Sequence, residues 1–338
     1  MALTGLREDE LKLILFGGKG GVGKTTCAVS TGFYLASARG GSAFGGEEGF
    51  NTLVLSTDPA HSLSDSLEQE IGDEIHPVRD KTPKATDGCL RQPISNGVKN
   101  LSALEISAEK TLSRFKTEYE DEIKKILDTS TYLDKEDIDS VFALPIPGMD
   151  EVMGFKTIVD LIEDGKFDKY IVDTAPTGHA LRLLTLPDLL DDWIKVMAKM
   201  RWKYRYMVET FGGEYKPDES DDFLVEMKKT VKRIESLLRD SQRCEFIAVT
   251  IPEAMAILET ERLLDSLNSY GIKVKQLVIN NVLQSGDCGF CKQRRKEQEK
   301  YIDQIRKMFG DLKITLAPLQ AREVKGIEAL ENFGKLLF

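Results

Sequence analysis

The chain has 338 residues, 41% of them hydrophobic, with a formal net charge of −10 and five cysteines. That length accommodates one large α/β domain or two ordinary ones, the acidic balance argues against general nucleic-acid binding, and an odd handful of cysteines argues against a disulfide framework. No apolar run reaches the ~18 residues of a membrane span, and residues 1–10 are too short and mixed for a signal peptide, so a cytoplasmic protein is expected.

In chain order, residues 11–16 form an apolar run long enough for a buried strand, followed by a glycine-rich loop and a helix-like run. Residues 39–50 (RGGSAFGGEEGF) have no apolar period and read as a loop. Residues 52–56 are the next strand, followed at once by Thr57-Asp58-Pro59-Ala60-His61-Ser62. Residues 70–100, rich in Pro, Gly, Lys and Asp, read as an irregular excursion, and 103–106 as a short strand. Residues 108–128 read as one acidic helix, with Leu112, Phe115, Tyr119, Ile123 and Ile126 at helical spacing. Ile146-Pro147-Gly148 makes a turn before another helix. Residues 169–172 are a strand ending in Asp173, 181–210 an unusually apolar helix, and 223–239 an amphipathic helix with a basic face. Further strands are expected at 246–250, 276–279 and 313–317, with long helices between. Strands alternating with helices predict a parallel sheet covered on both faces. No internal repeat or linker divides the chain.

The loop after the first strand fits the phosphate-loop pattern: Gly18, four residues, then Gly23, Lys24 and Thr25. Glycines let backbone N–H groups close around phosphate oxygens, and the following helix points its positive end at the same anion. Lys24 would reach the β- and γ-phosphates, and Thr25 would ligate Mg²⁺. The nucleotide cradle is therefore expected from Gly17, Gly18, Lys19, Gly20, Gly21, Val22, Gly23, Lys24, Thr25 and Thr26. Asp58 and Asp173 each follow a strand's carboxyl end, where open α/β sheets place their chemistry. One should orient the attacking water and the other hold the metal.

Ser56-Thr57-Asp58-Pro59-Ala60-His61 and Asp173-Thr174-Ala175-Pro176-Thr177-Gly178-His179 resemble the two switch segments of one family. That family contains the arsenite-efflux ATPase and the guided-entry ATPase that carries tail-anchored membrane proteins. The likeness runs from about residue 11 to about residue 336 and includes Ile146-Pro147-Gly148, Glu259-Thr260-Glu261-Arg262 and Cys288-x-x-Cys291. It implies one P-loop ATPase domain over 1–338, of the deviant Walker A class. An inserted α-helical client-binding subdomain would come from about 108–155 and 181–240. It implies Asp58 as the water-activating residue and Asp173 near Mg²⁺. Asn280 would meet the adenine, with Pro318 close by, and Glu253 would meet the nucleotide across a dimer. The second loop lysine, Lys19, resembles one that reaches the partner's phosphates in a homodimer, as an arginine finger does. The cofactors implied are ATP, Mg²⁺ and Zn²⁺.

Cys288-Gly289-Phe290-Cys291 is a single CxxC, in itself a redox motif, half a zinc site or chance. A tetrahedral structural zinc wants four ligands, which two chains about a two-fold axis could complete; the family resemblance favours that shared site. Cys27 and Cys244 read as core residues and Cys89 as a loop thiol. Leu186, Leu190, Trp193, Met197, Met200 and Met207 belong to an apolar, methionine-bearing stretch that continues to Phe211. Such a stripe is either ordinary core or an adaptable binding surface. This stretch, with both tryptophans of the chain and three of its nine methionines, is the positive evidence for a client groove. The expected function is an ATP-hydrolysing chaperone capturing tail-anchored proteins and delivering them for insertion. Recruitment would be to the endoplasmic reticulum membrane, or the plasma membrane in an archaeon. A membrane receptor and handover co-chaperones would be its partners in a eukaryote. The alternative is the soluble ATPase of an arsenite or metalloid pump, although that motor usually has two phosphate loops and this chain has one.

Overall fold

The computed structural model describes residues 2–37, 49–58, 62–79, 97–144, 149–174, 177–284, 286 and 288–338, with side chains at all of these except 97, 98, 108, 150, 151 and 177–190. They form two compact units. The first comprises Met1–Ile106, Asp164–Leu181 and Leu238–Phe338; the second comprises Ser107–Glu163 and Arg182–Leu237.

The first unit is built on β1 (Leu13–Gly17), β2 (Thr52–Ser56), β3 (His76–Arg79), β4 (Gly97–Glu105), β5 (Lys169–Asp173), β6 (Cys244–Thr250), β7 (Val274–Val282) and β8 (Lys313–Pro318). Their order across the sheet is β3-β4-β2-β5-β1-β6-β7-β8. Only β3 runs antiparallel to its neighbour. Every residue of β1, β2, β5 and β6 is buried. That explains why these strands read as continuous apolar runs: a parallel sheet is covered on both faces. The register sets Phe16 and Ser56 on either side of Asp173, so the three central strands end together. The helices of this unit are α1 (Lys24–Ala36), α2 (Ser62–Leu67), α9 (Ala254–Ser269), α10 (Gly289–Met308) and α11 (Gly326–Leu337). Helix α11 buries Leu330, Phe333 and Leu337 in the core. It approaches α1 so closely that a Cβ on Gly334 would lie 2.8 Å from the Ser30 carbonyl oxygen.

The stretch 70–100, expected to be irregular, supplies β3 and the first residues of β4, and the strand expected at 103–106 begins at Gly97. The reason is local. Strand β3 is a four-residue edge on which only Val78 is buried, so no two-residue period is visible. Residues 38–48, 59–61, 80–96, 145–148 and 175–176 lie outside the described residues. With them go Pro59, Ala60, His61, Cys89, Ile146-Pro147-Gly148, Ala175 and Pro176, and most of the 39–50 loop.

The second unit is helical: α3 (Ala108–Glu118), α4 (Glu120–Ser130), α5 (Lys135–Ala143), and the parts within it of α6 (Met149–Asp164), α7 (Thr177–Thr210) and α8 (Glu219–Arg239). The single helix expected at 108–128 is two. The break falls at Tyr119 (φ −116, ψ 20), where Glu120, Asp121 and Glu122 start a new helix and suit the positive end of its dipole. Phe115 and Ile123 on either side are both buried, so the apolar spacing runs through the break and hides it. Tyr119 and Trp193 pack their rings on Phe223, at centroid distances of 4.8 and 6.1 Å. Arg201, 4% exposed, is held by Asp218 at 2.5 Å and Asp221 at 3.1 Å. A charge so buried needs partners of this kind.

Candidate functional site

The glycine loop joins β1 to α1 at the carboxyl edge of the sheet. Gly18 runs so close to β6 that a Cβ there would sit 2.1 Å from the Val249 carbonyl oxygen; any larger residue would push the loop off the sheet. Gly23, in the left-handed region at φ 91, starts α1 without a side-chain cap, and no acid lies in the helix's first turn. The first N–H groups of α1 are thus left for an anion. Lys24 is buried, and its ammonium donates to the Lys19 carbonyl at 3.2 Å. Burial lowers its pKa, while Asp173 and Asp58 oppose the fall.

Asp173 ends β5. Its Oδ2 accepts from the Thr25 hydroxyl at 2.5 Å and from the Ser62 hydroxyl at 3.4 Å. Its Oδ1 is buried with no hydrogen-bond partner. Burial pushes the carboxyl up to about 6, against the pull of Thr25 and Lys24. A buried carboxylate with one satisfied oxygen, one orphaned oxygen and an adjacent hydroxyl fits a divalent cation. Asp58 follows β2, half-buried, and its N–H donates to Ser56 Oγ at 3.2 Å.

Asn280 lies in β7, directly beside the loop. Its Nδ2 donates to the Val22 carbonyl at 2.9 Å, while its Oδ1 is buried and unpartnered. The same amide leaves no room for a Cβ at Gly23, which would come within 2.3 Å of Nδ2. A cleft of about 570 Å³ opens here, lined among others by Gly21, Gly23, Thr26, Ser62, Asn280, Gln320, Arg322 and Lys325. Sequence reasoning stopped at Pro318 and missed residues 319–325 and Ser62. The available signal was position: a loop following a strand's carboxyl end. Glu253, the N-terminal cap of α9, is paired with Arg294 of α10 at 2.6 Å.

A family model described as anion-transporting ATPase matches residues 11–338. The chain belongs to the anion-transporting ATPase family. It is 34% identical over 341 residues to the ATPase ASNA1 homolog 1 of Paramecium tetraurelia, covering 98% of this chain and 94% of that protein. It is 34% identical over 348 residues to the ATPase GET3B of Arabidopsis thaliana, covering 97% and 79%. The ATPase get3 of Pyrenophora tritici-repentis is 32% identical over 346 residues, covering 98% and 92%. This protein is an ATPase.

Two further features of this ATPase bear on function. Cys288 caps α10 and its Sγ accepts from the Cys291 N–H at 3.2 Å, with the two sulfurs 3.0 Å apart. Hydrogen bonds from the Cys291 thiol and then its backbone N–H lower the Cys288 pKa, which suits a thiolate ligand. Among the described residues no group of three or more His, Cys, Asp or Glu is placed to hold a metal; the pair offers two of the four ligands that a tetrahedral zinc takes. Cys27 and Cys244 are buried, and burial pushes both thiols up to about 12.

The second feature is α7. Leu186 and Leu190 lie within it but outside the described side chains. Met197 is buried, Trp193 and Met200 are half-buried, and Met207 is exposed. Trp193 and Met197 line a cavity of about 100 Å³ with Leu112, Phe115, Ile123 and Leu127, all within the helical unit. Trp202, Tyr206 and Phe211, at 64%, 58% and 87% exposure, face solvent, and the rings of the first two stack at 5.8 Å. Among the described residues no helix is long and apolar enough to cross a membrane.

Proposed function

We propose that this ATPase is a homodimeric, cytoplasmic targeting factor that shields the apolar helix of tail-anchored membrane proteins and delivers it to a membrane. The observation that carries the reading is the exposed aromatic run from Trp202 in α7 to Phe211 just beyond it, in a chain that is also an ATPase. Solvent-facing Trp202, Tyr206 and Phe211 are a large apolar surface for a water-exposed helix. The likeness to proteins named ASNA1 and GET3 over nearly the full length supports it.

The geometry of the strand-end cluster supports the following catalytic roles. The glycine loop and the N-terminus of α1 hold the phosphates, and Lys24 neutralises charge at the β- and γ-positions. Thr25 and Asp173 would hold Mg²⁺, which when bound supplies charge beside the transferring phosphoryl group. Asp58 orients the attacking water. Asn280 offers its orphaned Oδ1 to the adenine amino group, with Pro318 and residues 319–325 around the base. Lys19 acts on the nucleotide of the second copy, and Glu253 contacts it from the other side of the dimer. Cys288 and Cys291 from each copy hold one Zn²⁺. In α7, Trp193, Met200 and Met207 border the client surface; Leu186 and Leu190 precede them in the sequence. Met197 supports it from within the helical unit.

The test is capture of a ~20-residue apolar helical peptide by the purified ATPase and by a Trp202→Asp, Tyr206→Asp variant. Both residues are exposed, so the fold should tolerate the change. Loss of capture with ATP turnover retained is expected. Equal capture would return the chain to the metalloid-pump reading that the family description also suits, and stimulation of turnover by arsenite would then identify it.

A further inference from the structure

Lys19 is tied at both ends within its own chain. Its carbonyl accepts from the Lys24 ammonium at 3.2 Å. Its own ammonium pairs with Glu259 Oε1 at 3.5 Å, and the two side chains are only 37% and 27% exposed. The close approach of Gly18 to Val249 fixes the backbone next to Lys19. Glu259 sits in α9, whose neighbouring Thr260 is buried and donates to Ala256 O at 2.8 Å, with its hydroxyl 3.0 Å from that of Thr250 at the end of β6. The backbone at Glu259 is therefore held beside the end of β6, opposite the loop lysine.

We propose that Glu259 is a positioning residue that retains the Lys19 ammonium in its own chain until the phosphates of a second copy compete for it. The proposal rests on the reading that Lys19 acts on a second copy's nucleotide. Phosphate binding withdraws the Lys24 ammonium from the Lys19 carbonyl, because Lys24 is needed at the β- and γ-positions. One tie is thereby loosened by the chain's own nucleotide, and the other is broken by the partner's. An isolated chain would keep its finger folded away and hydrolyse slowly.

The experiment compares the full-length protein with Glu259→Gln, Lys19→Met and the double variant. Steady-state ATP turnover is followed against protein concentration. Amine labelling of Lys19 in the nucleotide-free protein is followed by mass spectrometry. A partly exposed ion pair changes an equilibrium by about two- to five-fold. Glu259→Gln should therefore raise both the labelling rate of Lys19 and the turnover at limiting protein by about that factor. The gain in turnover should vanish when Lys19 is Met. A merely structural role for Glu259 would give the same change in turnover with or without Lys19, and would overturn the proposal. Unchanged labelling of Lys19 would overturn it as well. If Lys19→Met turns over like wild type, the reading of Lys19 fails and the proposal falls with it. An additive effect in an enzyme that does depend on Lys19 removes Glu259 alone.

Discussion

Asp173 lets the cost of burying a carboxyl group beside the glycine loop be measured directly. Burial raises its carboxyl from 3.8 to about 6, so the folded chain holds that proton more tightly than the unfolded one. Its favourable contribution to folding is complete below pH 3.8 and is lost as pH rises through about 6. At about 1.4 kcal/mol per pH unit, the loss amounts to about 3 kcal/mol by neutral pH. Asp173→Asn keeps an oxygen acceptor for the Thr25 hydroxyl and removes the ionisation. The nucleotide-free variant should therefore be the more stable protein near neutral pH, by up to about 3 kcal/mol. The difference should shrink towards zero near pH 4. Urea denaturation of both proteins across this range, with chelator and without nucleotide, reads the difference. Magnesium and ATP should reverse the ranking, since only the wild type gains the binding free energy of the cation. A variant less stable than wild type at neutral pH, or a difference that does not vary with pH, would refute the reasoning.

Three other substitutions test separate parts of the site. Asp58→Asn should bind ATP and Mg²⁺ normally while turnover falls by about 10²–10⁴-fold; near-normal turnover would remove Asp58 as the water-orienting group. Asn280→Leu deletes the acceptor offered to the adenine and should weaken ATP binding by about 1–3 kcal/mol while narrowing the preference for ATP over GTP; competition binding would show an unchanged preference if Asn280 only braces the loop. Cys288→Ser with Cys291→Ser should lose about one zinc per two chains and weaken association; metal analysis with light scattering would contradict this if the dimer persists without metal.

The central strands were legible because their burial on both faces leaves continuous apolar runs, as in LILFG of β1 and CEFIAVT of β6. The phosphate loop was legible because close approach to Val249 and Asn280 leaves space only for glycine at Gly18 and Gly23. Edge strand β3 was not, since one buried residue in four carries no period. The break at Tyr119 was hidden because buried positions continue across it. Sequence placed Asp173 and Thr25 in the same site. Their 2.5 Å hydrogen bond and the orphaned oxygens of Asp173 and Asn280 needed coordinates, because pairing across 148 positions depends on strand order. The same is true of Lys19 and Glu259, joined only where α9 follows β6.

The most direct test of the central claim is photo-crosslinking from position 202 or 206 of α7 to a radiolabelled tail-anchored protein. It is read in the Asp58→Asn form with ATP, and again with ADP. The account predicts a strong crosslink with ATP, a weaker one with ADP, and none to the same protein lacking its apolar tail. A crosslink indifferent to the nucleotide, or one that survives removal of the tail, would contradict it.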